Sequence, residues 1–79
     1  MTASTLTEDA LKALIADICR VDPATITNGT RFIADLNMDS LASLDLLTEL
    51  EEEWEIEVTQ EDARDIRTYG ELWAFIQAQ

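Results

Sequence analysis

Apolar residues recur along this chain at helical spacing, in blocks separated by turn formers. Leu11, Leu14, Ile15 and Ile18 fall at i, i+3, i+4 and i+7, the apolar stripe of one helix. Just ahead of them, Thr5-Leu6-Thr7-Glu8 has the spacing of a capping box in which Thr5 caps and Glu8 reaches back. Pro23 disfavours helical geometry at Asp22, so the first helix is expected over about residues 5–21. A second is expected over about residues 39–54, with Leu44, Leu47, Leu50 and Trp54 lining one side and Asp45, Glu49, Glu52 and Glu53 filling much of the rest. Ile56 and Val58 make a brief apolar link, after which Thr59, with Asp62 three residues on, caps a short helix over about 60–66. Thr68-Tyr69-Gly70-Glu71 repeats the capping-box spacing and opens a last helix over about 68–77, carrying Leu72, Trp73, Phe75 and Ile76. Gly70 in its first turn should weaken it slightly. No strand alternation and no internal repeat interrupts this pattern. The expectation is an all-α fold, a small four-helix bundle with three main helices and one short third helix, in a single domain spanning residues 1–79.

The connection between the first two helices, residues 22–38, is long. It holds the turn formers Pro23, Asn28-Gly29 and Asn37, yet also Ile26, Phe32, Ile33 and Leu36. A purely solvated loop has no need of four such side chains, so the connection is expected to be ordered and pinned across the core.

Charge adds the next constraint. Seventeen Asp and Glu stand against five Lys and Arg, a formal net charge of −12. Nucleic acid and anionic membrane surfaces both reward Lys and Arg and are poor partners; a protein with a basic docking patch is a good one. The 47% of apolar residues, set at helical spacing, argues against disorder as the source of the charge. Glu51 to Glu53 oppose the dipole of the second helix and repel one another. Stability alone does not favour that arrangement, so a use for the negative surface is expected. Met1 to Thr7 lacks the basic cluster and apolar run of a signal peptide, and no stretch reaches the length of a membrane span. The expected setting is cytoplasmic, and the expected state a monomer.

Catalysis lacks its parts. There is no histidine and one cysteine, so a Ser-His or Cys-His pair cannot be assembled, and no internal disulfide can form. Cys19 is expected to pack as a small hydrophobe. The two glycines, Gly29 and Gly70, cannot supply a phosphate-binding glycine loop. An EF-hand turning at Asn28-Gly29 would need Ala24 as its first ligand, which fails.

At Asp35-Leu36-Asn37-Met38-Asp39-Ser40-Leu41 the chain resembles the carrier proteins of fatty acid, polyketide and nonribosomal peptide synthesis, whose signature is Asp-Ser-Leu at the entry to the second helix. Thr30 to Leu36 is similar to the family's approach to the serine. Glu51 to Val58 resembles its acidic close to the second helix and short apolar link. Glu61 to Ile66 resembles its small third helix, and Thr68 onward its fourth. The resemblance covers about residues 5–77, each element in order. It implies a non-catalytic acyl carrier in which Ser40 bears 4′-phosphopantetheine, transferred from coenzyme A by a phosphopantetheinyl transferase, with cargo held as a thioester on the arm. It implies that Asp39 helps the transferase recognise its target. It also implies that Leu41, Leu44, Asp45, Thr48, Glu49 and Glu52 form the docking surface for an acyltransferase or acyl-loading ligase, a ketosynthase and other biosynthetic enzymes. The fit is physically reasonable, since backbone N–H groups at a helix start favour a phosphodiester. From the residues alone other roles stay open: Ser40 or Asp39 as an ordinary N-cap, and Leu41 and Leu44 as core. Trp54 and Trp73 are expected in the core.

Several positions depart from the common pattern. Asn37 stands where glycine is frequent and is the substitute that best tolerates a left-handed backbone. Ala42 replaces a frequent acid, Thr48 a frequent methionine and Thr59 a frequent proline. Ala42 and Thr48 would alter the recognition surface of the second helix, which favours polyketide or other specialised biosynthesis over housekeeping fatty acid synthesis. A carrier of aminoacyl or peptidyl groups is the nearest rival. An acidic interaction module without a prosthetic group is the rival of another class. The chain is expected to be free-standing.

Overall fold

The computed structural model describes residues 6–78. Four α-helices follow one another: α1 (Glu8–Cys19), α2 (Ser40–Trp54), α3 (Gln60–Asp65) and α4 (Tyr69–Gln77), with a single 3-10 turn at Pro23–Thr25 in the long connection. The expected all-α architecture is present, and each helix starts at a side-chain cap.

The first cap differs from expectation. Thr7 caps α1, its hydroxyl accepting the Ala10 N–H at 3.1 Å; Thr5, expected in that role, lies outside the described residues. The helix also ends earlier than residue 21. Arg20 adopts a left-handed conformation (φ 60°), and its own N–H and that of Val21 both turn back to the Ala16 carbonyl. That closure satisfies the terminal carbonyl two residues before Pro23 could act. Glu55 (φ 56°) closes α2 in the same way, with the Ile56 N–H donating to Leu50 O at 3.1 Å. Thr59–Asp62 and Thr68–Glu71 are both reciprocal capping boxes, as the spacing indicated.

The core is built from Leu11 and Ile15 of α1, Leu46 and Leu50 of α2, and Tyr69 and Leu72 of α4. The long connection supplies Ile26, Phe32, Leu36 and Met38, all buried, so it is a wall of the core and not a solvated strap. Ile33 is the exception: it was expected inside, yet it is 77% exposed. It sits in the irregular turn between buried Phe32 and Leu36, where neighbouring side chains cannot all face inward.

The second correction concerns α2. Leu46, not Leu44, carries the core face: Leu46 is 4% exposed and Leu44 47%. At 100° per residue the two point about 200° apart, and the apolar residues of α2 fit either stripe on spacing alone. Packing against α1 selects the Leu46–Leu50 stripe, with Ala42, Leu47 and Trp54 half-buried at its margins.

Backbone bonds tie the connection to the α3–α4 junction. Phe32 N–H donates to Arg67 O at 3.0 Å and Tyr69 N–H to Thr30 O at 2.9 Å, flanking an isolated antiparallel bridge between Arg31 and Thr68. Tyr69, fully buried, reaches α1: its hydroxyl donates to Glu8 Oε1 at 3.0 Å, and Lys12 Nζ lies 5.4 Å from its ring centroid. Burial first, and the Glu8 carboxylate second, push its phenol well above the ordinary value.

Candidate functional site

The candidate site is the first turn of α2. Asp39 is the N-cap: its Oδ1 accepts the Ala42 N–H at 2.8 Å, and its carbonyl accepts the Ser43 N–H at 2.9 Å. Ser40 therefore occupies the first helical position. Its side chain is exposed and makes no hydrogen bond among the described residues. The capping role left open between these two neighbours belongs to Asp39, which leaves the Ser40 hydroxyl uncommitted. Nor do the N–H groups of Ser40 and Leu41 donate to any protein acceptor among the described residues. Ahead of them, Asn37 takes the left-handed conformation expected of it (φ 56°), and Met38 N–H donates to Phe32 O at 3.0 Å. The serine thus follows a turn anchored by buried Phe32 and Met38.

The outer face of α2 collects the other singled-out residues. Leu41 (70% exposed), Leu44, Asp45, Thr48 and Glu52 are exposed and Glu49 is half-buried. By helical geometry Leu41, Asp45, Thr48 and Glu52 fall on one arc, opposite Leu50. The question that spacing left open for Leu41 and Leu44 is answered: both face solvent. Ala42, however, packs half-buried against the core, so of the two unusual α2 residues only Thr48 lies squarely on this surface. No Lys or Arg stands in α2, so every charge on its outer face is negative, set among Leu41, Leu44 and the neutral Thr48.

Two hollows open beside Ser40. The inner, about 210 Å³, runs between the connection, α2 and α3, over Phe32, Met38, Leu46, Val58, Ile66 and Leu72. The outer, about 320 Å³, is a shallower groove between α2 and α3. Ser40 and Ser43 line both, but Ser43 is half-buried where Ser40 is exposed. Neither Trp54 nor Trp73 lines either hollow; both pack half-buried against the core, as expected.

Comparison with known proteins decides the family. The model of the phosphopantetheine attachment site matches residues 9–76. The chain belongs to the acyl carrier protein family. It is 40% identical over 70 residues to the acyl carrier protein of Chlamydia muridarum, covering 89% of this chain and 91% of that one. It is 36% identical over 72 residues to that of Chlamydia felis, covering 91% and 92%. A solved chain from Mycobacterium tuberculosis, itself assigned as an acyl carrier protein, superposes with a TM-score of 0.81 at 37% identity, over 90% of this chain and 95% of that one.

As an acyl carrier protein the molecule is a non-catalytic carrier with a covalent 4′-phosphopantetheine, working with a phosphopantetheinyl transferase and with biosynthetic enzymes. The residues at the α2 N-terminus fit such a group: an exposed unbonded hydroxyl, two uncommitted N–H donors and an apolar hollow alongside. Cys19 packs half-buried against the core edge, and burial, with the Asp39 charge second, pushes its thiol up. No helix among the described residues is long and apolar enough to cross a membrane.

Sequence reasoning had Phe32 in the core and Met38 in the stretch leading to Ser40, and the fold sets both beneath the inner hollow; it passed over Arg64, on the wall of the outer groove. Arg64 carried a faint signal, as one of only five cations in the chain. Nothing in its spacing says that it faces α2.

Proposed function

We propose that Ser40 is the residue that bears the phosphopantetheine arm, and that the carrier presents acyl thioesters to enzymes docking on the outer face of α2. The observation that carries this reading is the uncommitted Ser40 hydroxyl at the rim of both hollows, one residue past the Asp39 cap. When bound, the arm supplies a thiol that holds acyl groups as thioesters. The chain's own residues do the rest. Asp39 holds the first turn rigid so that the hydroxyl projects outward. The Ser40 and Leu41 N–H groups favour the negative charge of a phosphodiester. Met38, Phe32 and Leu46 offer an apolar surface on which a short acyl chain loses contact with water.

Leu41 and Leu44 give a docking enzyme an apolar contact, framed by Asp45, Glu49 and Glu52, which steer a basic patch into register. Thr48 sits in the middle of that arc, where fatty-acid carriers often hold methionine, and supports service in polyketide or other specialised biosynthesis. With housekeeping fatty acid enzymes slow turnover is expected, improved by Thr48→Met.

Incubation with coenzyme A and a broad-specificity phosphopantetheinyl transferase tests the attachment. Intact mass should rise by one phosphopantetheine, Ser40→Ala should abolish the gain and Ser43→Ala should not. A gain that survives Ser40→Ala moves the site elsewhere, and a wild-type chain left unmodified by several transferases refutes the carrier reading.

A further inference from the structure

We infer that Arg64 seats an anion borne on the arm at Ser40, either the arm's own phosphodiester or a carboxylate on its cargo. The inference rests on Ser40 as the attachment residue. The two hollows that share the serine are chemically unlike. The inner one is walled mainly by aliphatic and aromatic side chains. The outer groove sets Ser40, Ser43 and Leu47 of α2 across from Gln60 and Arg64 of α3, and Arg64 is the single cation lining either hollow.

Arg64 is exposed and has no carboxylate partner within 4.0 Å among the described residues, although the chain carries 17 acids and Glu61 lies one turn before it on the same helix. The Ser43 and Gln60 side chains also make no hydrogen bond among the described residues. Three polar side chains therefore meet at one groove with their bonding capacity unused. A phosphodiester at Ser40 adds negative charge beside Asp39 in a chain of net charge −12, and the two N–H donors of the α2 start offset only part of it. A guanidinium supplies the remainder, in a planar fork that matches phosphate or carboxylate oxygens two at a time. A positive charge in the last turn of α3 also suits the helix dipole. That role would be indifferent to whatever the arm carries, which separates the two accounts.

The test compares four forms of the full chain by NMR: unmodified, holo, and holo loaded with butyryl or succinyl groups, cargoes of equal chain length that differ in a terminal carboxylate. Intact mass establishes loading first, so a chain that accepts no arm overturns the attachment reading, and this inference with it, before any spectrum is taken. On a loaded chain, movement of the Arg64 Nε–Hε resonance on passing to the holo form assigns the phosphodiester. Movement confined to the succinyl form assigns the cargo carboxylate. Arg64→Gln should abolish the contacts between the arm and the Leu47 methyl groups with thermal stability kept, and Arg64→Lys should retain part of them. An Arg64 resonance unmoved in all loaded forms, or arm contacts unchanged in Arg64→Gln, overturns the inference and leaves Arg64 a helix-dipole residue.

Discussion

Gly70 lies so close to Asn28 that a Cβ added to it would come within 2.7 Å of the Asn28 carbonyl oxygen, the acceptor of the Gly70 N–H at 3.0 Å. On propensity, Gly70→Ala should strengthen α4 by about 1 kcal/mol. The contact reverses the sign, because the atom in the way is backbone that the Gly70 hydrogen bond itself holds in place. Gly70→Ala should be destabilising by roughly 1–3 kcal/mol, read as a lowered midpoint in thermal or urea unfolding. A stabilised variant would show that the loop yields freely.

Asp39 caps α2, and one pair of variants separates that role from the transferase recognition proposed for its charge. Its Oδ1 caps α2, so Asp39→Ala should cost about 1 kcal/mol of stability. Asparagine caps as well as aspartate, so Asp39→Asn should unfold near the wild-type midpoint. If the charge is what the transferase reads, Asp39→Asn should still be modified more slowly. Equal modification rates would assign Asp39 to capping alone.

The two leucine stripes of α2 should behave oppositely. Leu46→Ala, at a buried position, should cost about 2–5 kcal/mol, enough to unfold much of a domain this small. Leu41→Ala and Leu44→Ala, at exposed positions, should shift stability by less than about 0.5 kcal/mol while weakening the affinity of a docking enzyme. A large stability loss in either exposed variant would contradict the orientation of α2.

Glu71 Oε1 accepts the N–H groups of Arg67 at 2.8 Å and Thr68 at 3.1 Å, and these bonds hold its carboxyl below the usual value. A depressed carboxyl contributes stability that is complete above its unfolded pKa and is lost as pH falls through the folded one. The midpoint difference between wild type and Glu71→Gln should thus be full at neutral pH and close under acid. A difference unchanged down to strongly acidic pH would remove the carboxylate from the account.

Most of the fold was legible in the chain. Capping boxes and helical spacing act within a few residues, so Thr59–Asp62, Thr68–Glu71, the four helices in order and a left-handed Asn37 could be read directly. The Asp-Ser-Leu at the entry to α2 is equally local, and with the elements around it pointed to the carrier family. Tertiary structure decided the direction each stripe faces. Leu44 and Leu46 are equivalent in spacing until α1 packs on one of them. Ile33 turns outward because the connection bends between Phe32 and Leu36, and Gly70 changes from a weak helix residue to a required one because Asn28 arrives from forty-two positions away. The same holds for the groove that joins Ser40 to Arg64. Periodicity records the neighbours of a residue along its own helix, whereas burial and partnership depend on segments that only the folded chain brings into contact.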